Sequence, residues 1–269
     1  MHLAMVGLNY RTAPIEVREK LSFQAEDIAE ALGLLCAKED VLECAILSTC
    51  NRVEIYSLLR EARAGLLRDF LRDYHKYNGP LDSHLYSVHE ENVIRHLCRV
   101  ACGMDSMVLG ESQVFGQVKD AYRIALECGT VGHAFQHLFP LSFSLVKKAR
   151  SKSDIGTHHV SVGYAAVMLA RDVFGELRNR RVMVLGAGEM GQVTAKDLRA
   201  AGAREIMVVN RTFEKAVAVA ERVGGTPIML HELHEYLPVS DIVISAVGGV
   251  DPVVRTRDIR EAAQARGET

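Results

Sequence analysis

Apolar positions recur along this chain at two periods. Aliphatic runs bounded by polar or glycine corners predict strands at 3–8, 41–48 (VLECAILS) and 53–59 (VEIYSLL). Only Thr49-Cys50-Asn51-Arg52 separates the last two, so the pattern is strand, polar corner, strand. A 3.6-residue period predicts helix from Glu16 onward and over 26–37. It dominates from 62 to 153, with breaks near Asn78-Gly79-Pro80, Gly103, Gly110 and 129–132. After Gly156 the pattern changes to a helix at 160–174 and strands at 181–185, 205–210, 226–230 and 241–247, with helices between the first pairs. Such alternation calls for a parallel sheet covered by helices. The fold class read from it is α/β, with an N-terminal α+β domain at 1–155 and a Rossmann-like parallel-sheet domain at 156–269.

Composition narrows the class. With 269 residues, 48% hydrophobic and 25% charged, the chain reads as ordinary globular protein, not as a disordered, collagen-like or disulfide-stapled one. Apolar runs such as 165–170 and 242–247 fall far short of the roughly 20 residues that cross a bilayer. The N-terminus lacks the basic start and long apolar stretch of a secretion signal, so a cytoplasmic setting is expected. A net charge of −2 gives no global basic field, although 145–181 carries a local surplus of positive charge. That segment reads either as a solvated helical face or as a contact for backbone phosphates. All six cysteines precede residue 130 without a CxxC pair, which predicts reduced thiols. Cys98 and Cys102, four apart, fit two small core positions better than a shared metal, and no metal site is expected.

Two stretches carry candidate chemistry. Gly186-Ala187-Gly188-Glu189-Met190-Gly191 fits G-x-G-x-x-G and follows a strand (VMVL) and opens a helix. There the first glycine permits a tight turn, the second lets backbone approach a pyrophosphate, and the third lets helix and strand pack closely. At the end of the second strand stands Asn210-Arg211-Thr212, where a carboxylate would bind a ribose 2′-hydroxyl. Without that carboxylate a 2′-phosphate is not repelled, and a guanidinium can pair with it, which favours NADP over NAD. The alternative is an Arg211 that simply opens the next helix in water. Ser245-Ala246-Val247-Gly248-Gly249 ends the fourth strand, either beside a cofactor or as a plain turn.

The second stretch is the corner holding Cys50. A polar connection beside Thr49, Asn51 and Arg52 is not the setting of an inert core thiol, although loop cysteines are often incidental. A neighbouring guanidinium or free backbone N–H groups would favour its thiolate. A thiol nucleophile joined to a nicotinamide site suggests acyl transfer to sulfur followed by hydride reduction of the thioester. His96, in a helix beside Val93, Leu97 and Val100, is either a structural histidine or a proton carrier.

Ser48-Thr49-Cys50-Asn51-Arg52-Val53-Glu54, the run GMDSMVLGESQVFGQVK at 103–119 and the glycine turn together resemble the glutamyl-tRNA reductase family, in order along the chain. The resemblance implies NADPH-dependent reduction of the glutamyl group of glutamyl-tRNA to glutamate-1-semialdehyde, at the entry to tetrapyrrole synthesis. By that resemblance Cys50 is the nucleophile and His96 supports activity. Thr49, Asn51, Arg52, Ser106, Glu111, Ser112, Gln113 and Gln117 contact substrate, with Arg52 suited to hold the glutamate carboxylate. Gly186, Ala187, Gly188, Glu189, Met190, Gly191, Asn210, Arg211 and Thr212 would bind NADPH. Implied partners are glutamyl-tRNA, a downstream aminomutase and a second copy of the chain. Family members run on past this length, through a further strand and a long helix to a dimerisation domain. The 156–269 domain therefore reads as incomplete at its C-terminus, and its apolar strand at 241–247 as poorly covered. Competing readings are a non-catalytic regulator that binds tRNA or a pathway partner, and another NADP-dependent oxidoreductase of shikimate-dehydrogenase type.

Overall fold

The computed structural model describes residues 1–63, 65–153, 155, 162–248 and 252–267. They form two compact units, Met1–His159 and Val160–Thr269. The first runs β1 (His2–Asn9), α1 (Ile15–Lys20), α2 (Ile28–Cys36), β2 (Val41–Ser48), β3 (Arg52–Leu59), α3 (Gly65–Tyr74), β4 (Tyr86–His89), α4 (Glu91–Ala101), α5 (Gln113–Glu127) and α6 (His133–Lys152). Its four strands form an antiparallel sheet in the order β2-β3-β1-β4.

β4 lies in a stretch whose period predicts helix. Only four residues long, it pairs Tyr86 with Gly7 and His89 with Ala4, and its half-buried and exposed positions alternate over too short a span to stand out in sequence. β3 lies between β1 and β2, and alternation turns Arg52, Glu54 and Tyr56 to one side of it. All three are buried. Across the sheet, Gly7 pairs with Glu54, and a Cβ at Gly7 would come within 2.8 Å of the Glu54 side chain. The strand is thus small where its partner must carry a buried carboxylate.

α6 begins without a cap of its own. The N–H groups of Ala134 and Phe135 donate instead to Glu43 of β2, at 3.0 and 2.8 Å. A first helical turn leaves such donors orphaned unless something supplies an acceptor. Gly132 makes room for that carboxylate. On α5 the buried Val114, Val118, Ala121 and Ala125 form one face, and Gln113 and Gln117 remain half-buried beside it.

The second unit holds α7 (Val162–Phe174), β5 (Arg181–Leu185), α8 (Glu189–Ala200), β6 (Glu205–Asn210), α9 (Phe213–Val223), β7 (Thr226–Met229), α10 (Leu233–Tyr236), β8 (Ile242–Ser245) and α11 (Thr256–Ala265). Its strands are parallel, in the order β7-β6-β5-β8. From Val182 to Leu185 β5 is apolar because helices cover both its faces. Val182 and Val184 join one core with residues of α7, α8 and α9, while Met183 and Leu185 join another with Leu233, Leu237 and Ala262. β8 is an edge strand: Ile242 and Ile244 pack inward and Val243 faces out. Residues 160 and 161 of the expected helix, and Gly249 after β8, lie outside the described residues.

Candidate active site

Thr49 closes the β2–β3 hairpin. Its N–H donates to the Arg52 carbonyl at 2.8 Å, and its hydroxyl accepts from the N–H groups of Asn51 and Arg52 at 3.2 and 3.1 Å. Cys50 and Asn51 form the tip, and Cys50 is exposed. From α1, Arg18 reaches this tip, donating through Nη1 to the Cys50 carbonyl at 2.5 Å and to Asn51 Oδ1 at 3.0 Å.

The setting of Cys50 meets expectation in part. The Thr49 hydroxyl takes the N–H groups of Asn51 and Arg52, which leaves the Cys50 N–H as the backbone donor acting on the sulfur. The cation beside it is Arg18, not Arg52. Desolvation by burial, then the Glu111 carboxylate, push the Cys50 thiol above its ordinary pKa, and Arg18 and the Cys50 N–H oppose them only in part.

Arg52 points into the sheet unit and is 2% exposed. Its Nη1 donates to Glu54 Oε1 at 2.7 Å and to Asp105 Oδ2 at 3.2 Å, and its Nη2 donates to the Asp105 carbonyl at 2.5 Å. The guanidinium expected to clamp a substrate carboxylate is therefore already paired with two of the chain's own. Its immediate effect is to tie β3 to the loop after α4. Glu54 also accepts from Tyr56 at 2.5 Å, Tyr86 at 2.6 Å and His96 Nε2 at 2.9 Å. Burial alone would raise the Glu54 carboxyl. The His96 hydrogen bond and the Arg52 charge outweigh it and hold the group well below the usual carboxylate range. Because a carboxylate only accepts, Nε2 of His96 carries the proton. No hydrogen bond joins His96 to Cys50 among the described residues.

The loop from Gly103 to Ser112 closes on itself, with Gly110 N–H donating to the Gly103 carbonyl at 2.9 Å. Gly103 has φ +76°, and a Cβ there would meet the backbone of Glu111 at 2.8 Å. Arg150 of α6 holds the Gly110 carbonyl at 2.8 Å, and Tyr10 donates to the Ser106 carbonyl at 3.3 Å. Ser106 is buried, and its hydroxyl lacks a hydrogen-bond partner among the described residues. Glu111 is half-buried; Ser112 is exposed at the N-terminus of α5 and caps nothing with its side chain. Lys147 and Lys148 of the basic segment are exposed on α6.

In the second unit the three glycines answer three different demands. Gly186 has φ +103°, and a Cβ there would lie 2.6 Å from the Ala246 carbonyl oxygen, where the ends of β5 and β8 meet. A Cβ on Gly191 would overlap the carbonyl oxygen of Gly186. Gly188 is exposed, and no atom would crowd a Cβ there, so nothing in the fold itself requires glycine. Glu189 and Met190 follow as the first turn of α8, exposed and half-buried. Asn210 Oδ1 accepts from Ala187 N–H at 3.4 Å and its Nδ2 donates to the Thr212 carbonyl at 3.0 Å, tying the glycine turn to the end of β6. Arg211 and Thr212 are exposed. A cavity of about 930 Å³ opens at these carboxyl ends, lined by Gly186, Gly188, Asn210, Arg211, Ala246 and Gly248 among others. Ligands bind parallel sheets at that place, outside the strand ends where the strand order reverses.

An exposed thiol on a closed hairpin, and a parallel sheet with a glycine turn, define a two-unit α/β protein that pairs an antiparallel-sheet unit carrying an exposed cysteine with a dinucleotide-type fold. Comparison narrows the class. Residues 6–153 match the family model described as glutamyl-tRNAGlu reductase, N-terminal domain, and 168–269 match shikimate / quinate 5-dehydrogenase. Glutamyl-tRNA reductases of Priestia megaterium and Geobacter sulfurreducens are 43% and 42% identical over 99% of this chain, which spans 60% and 62% of their lengths. The solved glutamyl-tRNA reductase from Methanopyrus kandleri is 35% identical with a TM-score of 0.56, over 99% of this chain and 64% of that one. The chain belongs to the glutamyl-tRNA reductase family, and it spans about three fifths of the length of the curated relatives it matches.

Proposed function

We propose that this protein reduces the glutamyl group of glutamyl-tRNA to glutamate-1-semialdehyde, using Cys50 as nucleophile and NADPH as reductant. In this reading 1–155 is the catalytic and substrate-binding domain and 156–269 the NADPH-binding domain. The observation that carries it is the exposed Cys50 at the tip of a hydrogen-bonded hairpin, within the unit that matches the reductase family.

Cys50 loses its proton and its sulfur attacks the aminoacyl carbon. A C–S bond forms, the ester C–O bond breaks, and the tRNA hydroxyl leaves with a proton. Because the thiol is pushed up, that first deprotonation needs help. His96 is the candidate, since Glu54 holds its Nε2 and no protein group is bonded to Nδ1 among the described residues. Thr49 and Asn51 fix the tip. The Ser106 hydroxyl, without a partner among the described residues, joins Glu111, Ser112, Gln113 and Gln117 in supplying polar groups for the glutamyl and ribose ends. Arg52 serves through Asp105, whose loop it anchors, and contributes a field more than a direct clamp.

The residues of the second unit fit a dinucleotide. Gly188 leaves space for close backbone approach, the start of α8 offers N–H groups to a pyrophosphate, and Arg211 stands exposed where a 2′-phosphate would lie. When bound, NADPH supplies the hydride that converts the acyl thioester to an aldehyde and frees the thiolate. The aminomutase and the second copy of the chain are carried by the family resemblance alone. Exposed Lys147 and Lys148 belong to the segment proposed to meet tRNA phosphates, so binding should weaken as salt rises.

The test is to incubate the protein with radiolabelled glutamyl-tRNA without NADPH and map retained label by mass spectrometry. Label on Cys50, lost in Cys50→Ser, supports the proposal. Label elsewhere, or none with folded protein, overturns it.

A further inference from the structure

Around Cys50 the chain spends its cations unevenly. Arg52, two residues on in sequence, is buried against Glu54 and Asp105. Arg18, 32 residues away on α1, is the one whose Nη1 grips both residues of the hairpin tip. Its Nε is buried and lacks a hydrogen-bond partner among the described residues, so the head group is held with one donor unspent. A guanidinium so placed loses hydration and keeps its charge, because an arginine does not deprotonate in a protein.

We propose that Arg18 is a positioning residue for Cys50: it fixes the hairpin tip through the Cys50 carbonyl and the Asn51 amide, and supplies the positive charge that favours the Cys50 thiolate. The charged groups that bear on the sulfur come from two elements, Arg18 on α1 and Glu111 on the loop before α5, and they act in opposite directions. Burial and Glu111 both disfavour the thiolate, and Arg18, with the Cys50 N–H, favours it. Removing Arg18 leaves a carboxylate as the charge acting on a partly desolvated thiol. This inference rests on Cys50 being the reacting group.

The experiment reads the sulfur itself. Iodoacetamide alkylates the thiolate: a C–S bond forms, iodide leaves, and the thiol proton goes to buffer. Alkylation of Cys50 is followed by peptide mass spectrometry from pH 6 to 11 in the full chain, as wild type, Arg18→Gln, Arg18→Lys and Glu111→Gln. Arg18→Gln should move the midpoint to higher pH and slow alkylation at pH 8 by about threefold or more, with the high-pH plateau unchanged. Arg18→Lys, which keeps the charge, should recover most of that loss, and Glu111→Gln should move the midpoint the other way. A purely structural role predicts a changed plateau and no recovery by lysine. Should Arg18→Gln fail to fold, the Lys variant decides: a midpoint near wild type supports the proposal and one shifted upward overturns it. An unshifted midpoint in folded Arg18→Gln also overturns it. Since no tRNA or NADPH is present, a protein that shows these shifts yet captures no glutamyl group would refute the proposed reaction and leave the role of Arg18 standing.

Discussion

His96 places Nε2 2.9 Å from Oε1 of Glu54, joining α4 to a fully buried carboxylate on β3. The same oxygen accepts from Arg52 and Tyr86, and Tyr56 takes the other. One strand position thus gathers four donors from β3, β4 and α4. The cost of desolvating Glu54 is offset only while all of them are in place.

Replacing Glu54 by Gln should therefore destabilise the first unit by about 3–5 kcal/mol, since it leaves the Arg52 charge half-compensated and buried. Thermal unfolding followed by circular dichroism checks it, and a melting temperature within a degree of wild type refutes it. The pH dependence has a fixed sign. Glu54 is held below its unfolded value of 4.5, so its contribution is complete above that pH and drains away as pH falls further. Acid unfolding curves of Glu54→Gln should be flatter below pH 4.5 than those of wild type.

Glu43 offers a second test of a carboxylate that serves structure. It accepts from two N–H groups at the start of α6, and Gly132 leaves it room. Glu43→Ala should cost about 1–2 kcal/mol, the range of a lost helix cap. Hydrogen exchange should locate the loss at Ala134 and Phe135. Unchanged protection at those amides would mean that another group caps the helix.

Much of this is legible in sequence, and what is not shares one cause. The hairpin with Cys50 at its tip and the strands of the second unit follow from period and corner residues, which are local. The glycine turn likewise needs no more than its neighbours. The illegible part is long-range. Nothing in IEVREK says which cation reaches back to Cys50, and nothing in YSVH says that four residues will pair with β1. Arg52 looks like a substrate clamp when its neighbours in sequence are weighed and its strand face is not. Arg52, Glu54 and Tyr56 lie two apart in an apolar strand, so they face one way and must satisfy one another once buried. That spacing is a usable signal. Asp105 and Tyr86, which complete the set, sit on a loop and a short strand whose partners only the fold brings near.

The three glycines of the turn should separate under substitution. Gly191→Ala forces a Cβ onto the Gly186 carbonyl and should cost stability outright, seen as a lower melting temperature with no ligand present. Gly188→Ala meets no atom of the protein, so the apoprotein should melt as wild type does. Its methyl would stand where the proposed pyrophosphate approaches, and NADPH affinity should fall by about tenfold or more. Fluorescence titration with NADPH measures that. A Gly188→Ala protein that binds NADPH as wild type does would remove the pyrophosphate from this turn.

Cofactor preference rests on a different residue of the same cavity. Asn210 holds the Ala187 N–H and the Thr212 carbonyl, while Arg211 is exposed beside it and supplies the cationic side chain of that strand end that can meet a ribose substituent. A 2′-phosphate carries the charge that rewards a guanidinium, and a 2′-hydroxyl does not. Arg211→Ala should therefore weaken NADPH binding by about 1–3 kcal/mol, the range of a charged hydrogen bond, and leave NADH binding nearly unchanged. Parallel titrations with the two nucleotides read the difference directly. Equal losses for both would show that Arg211 acts on the shared part of the dinucleotide and does not select for the phosphate.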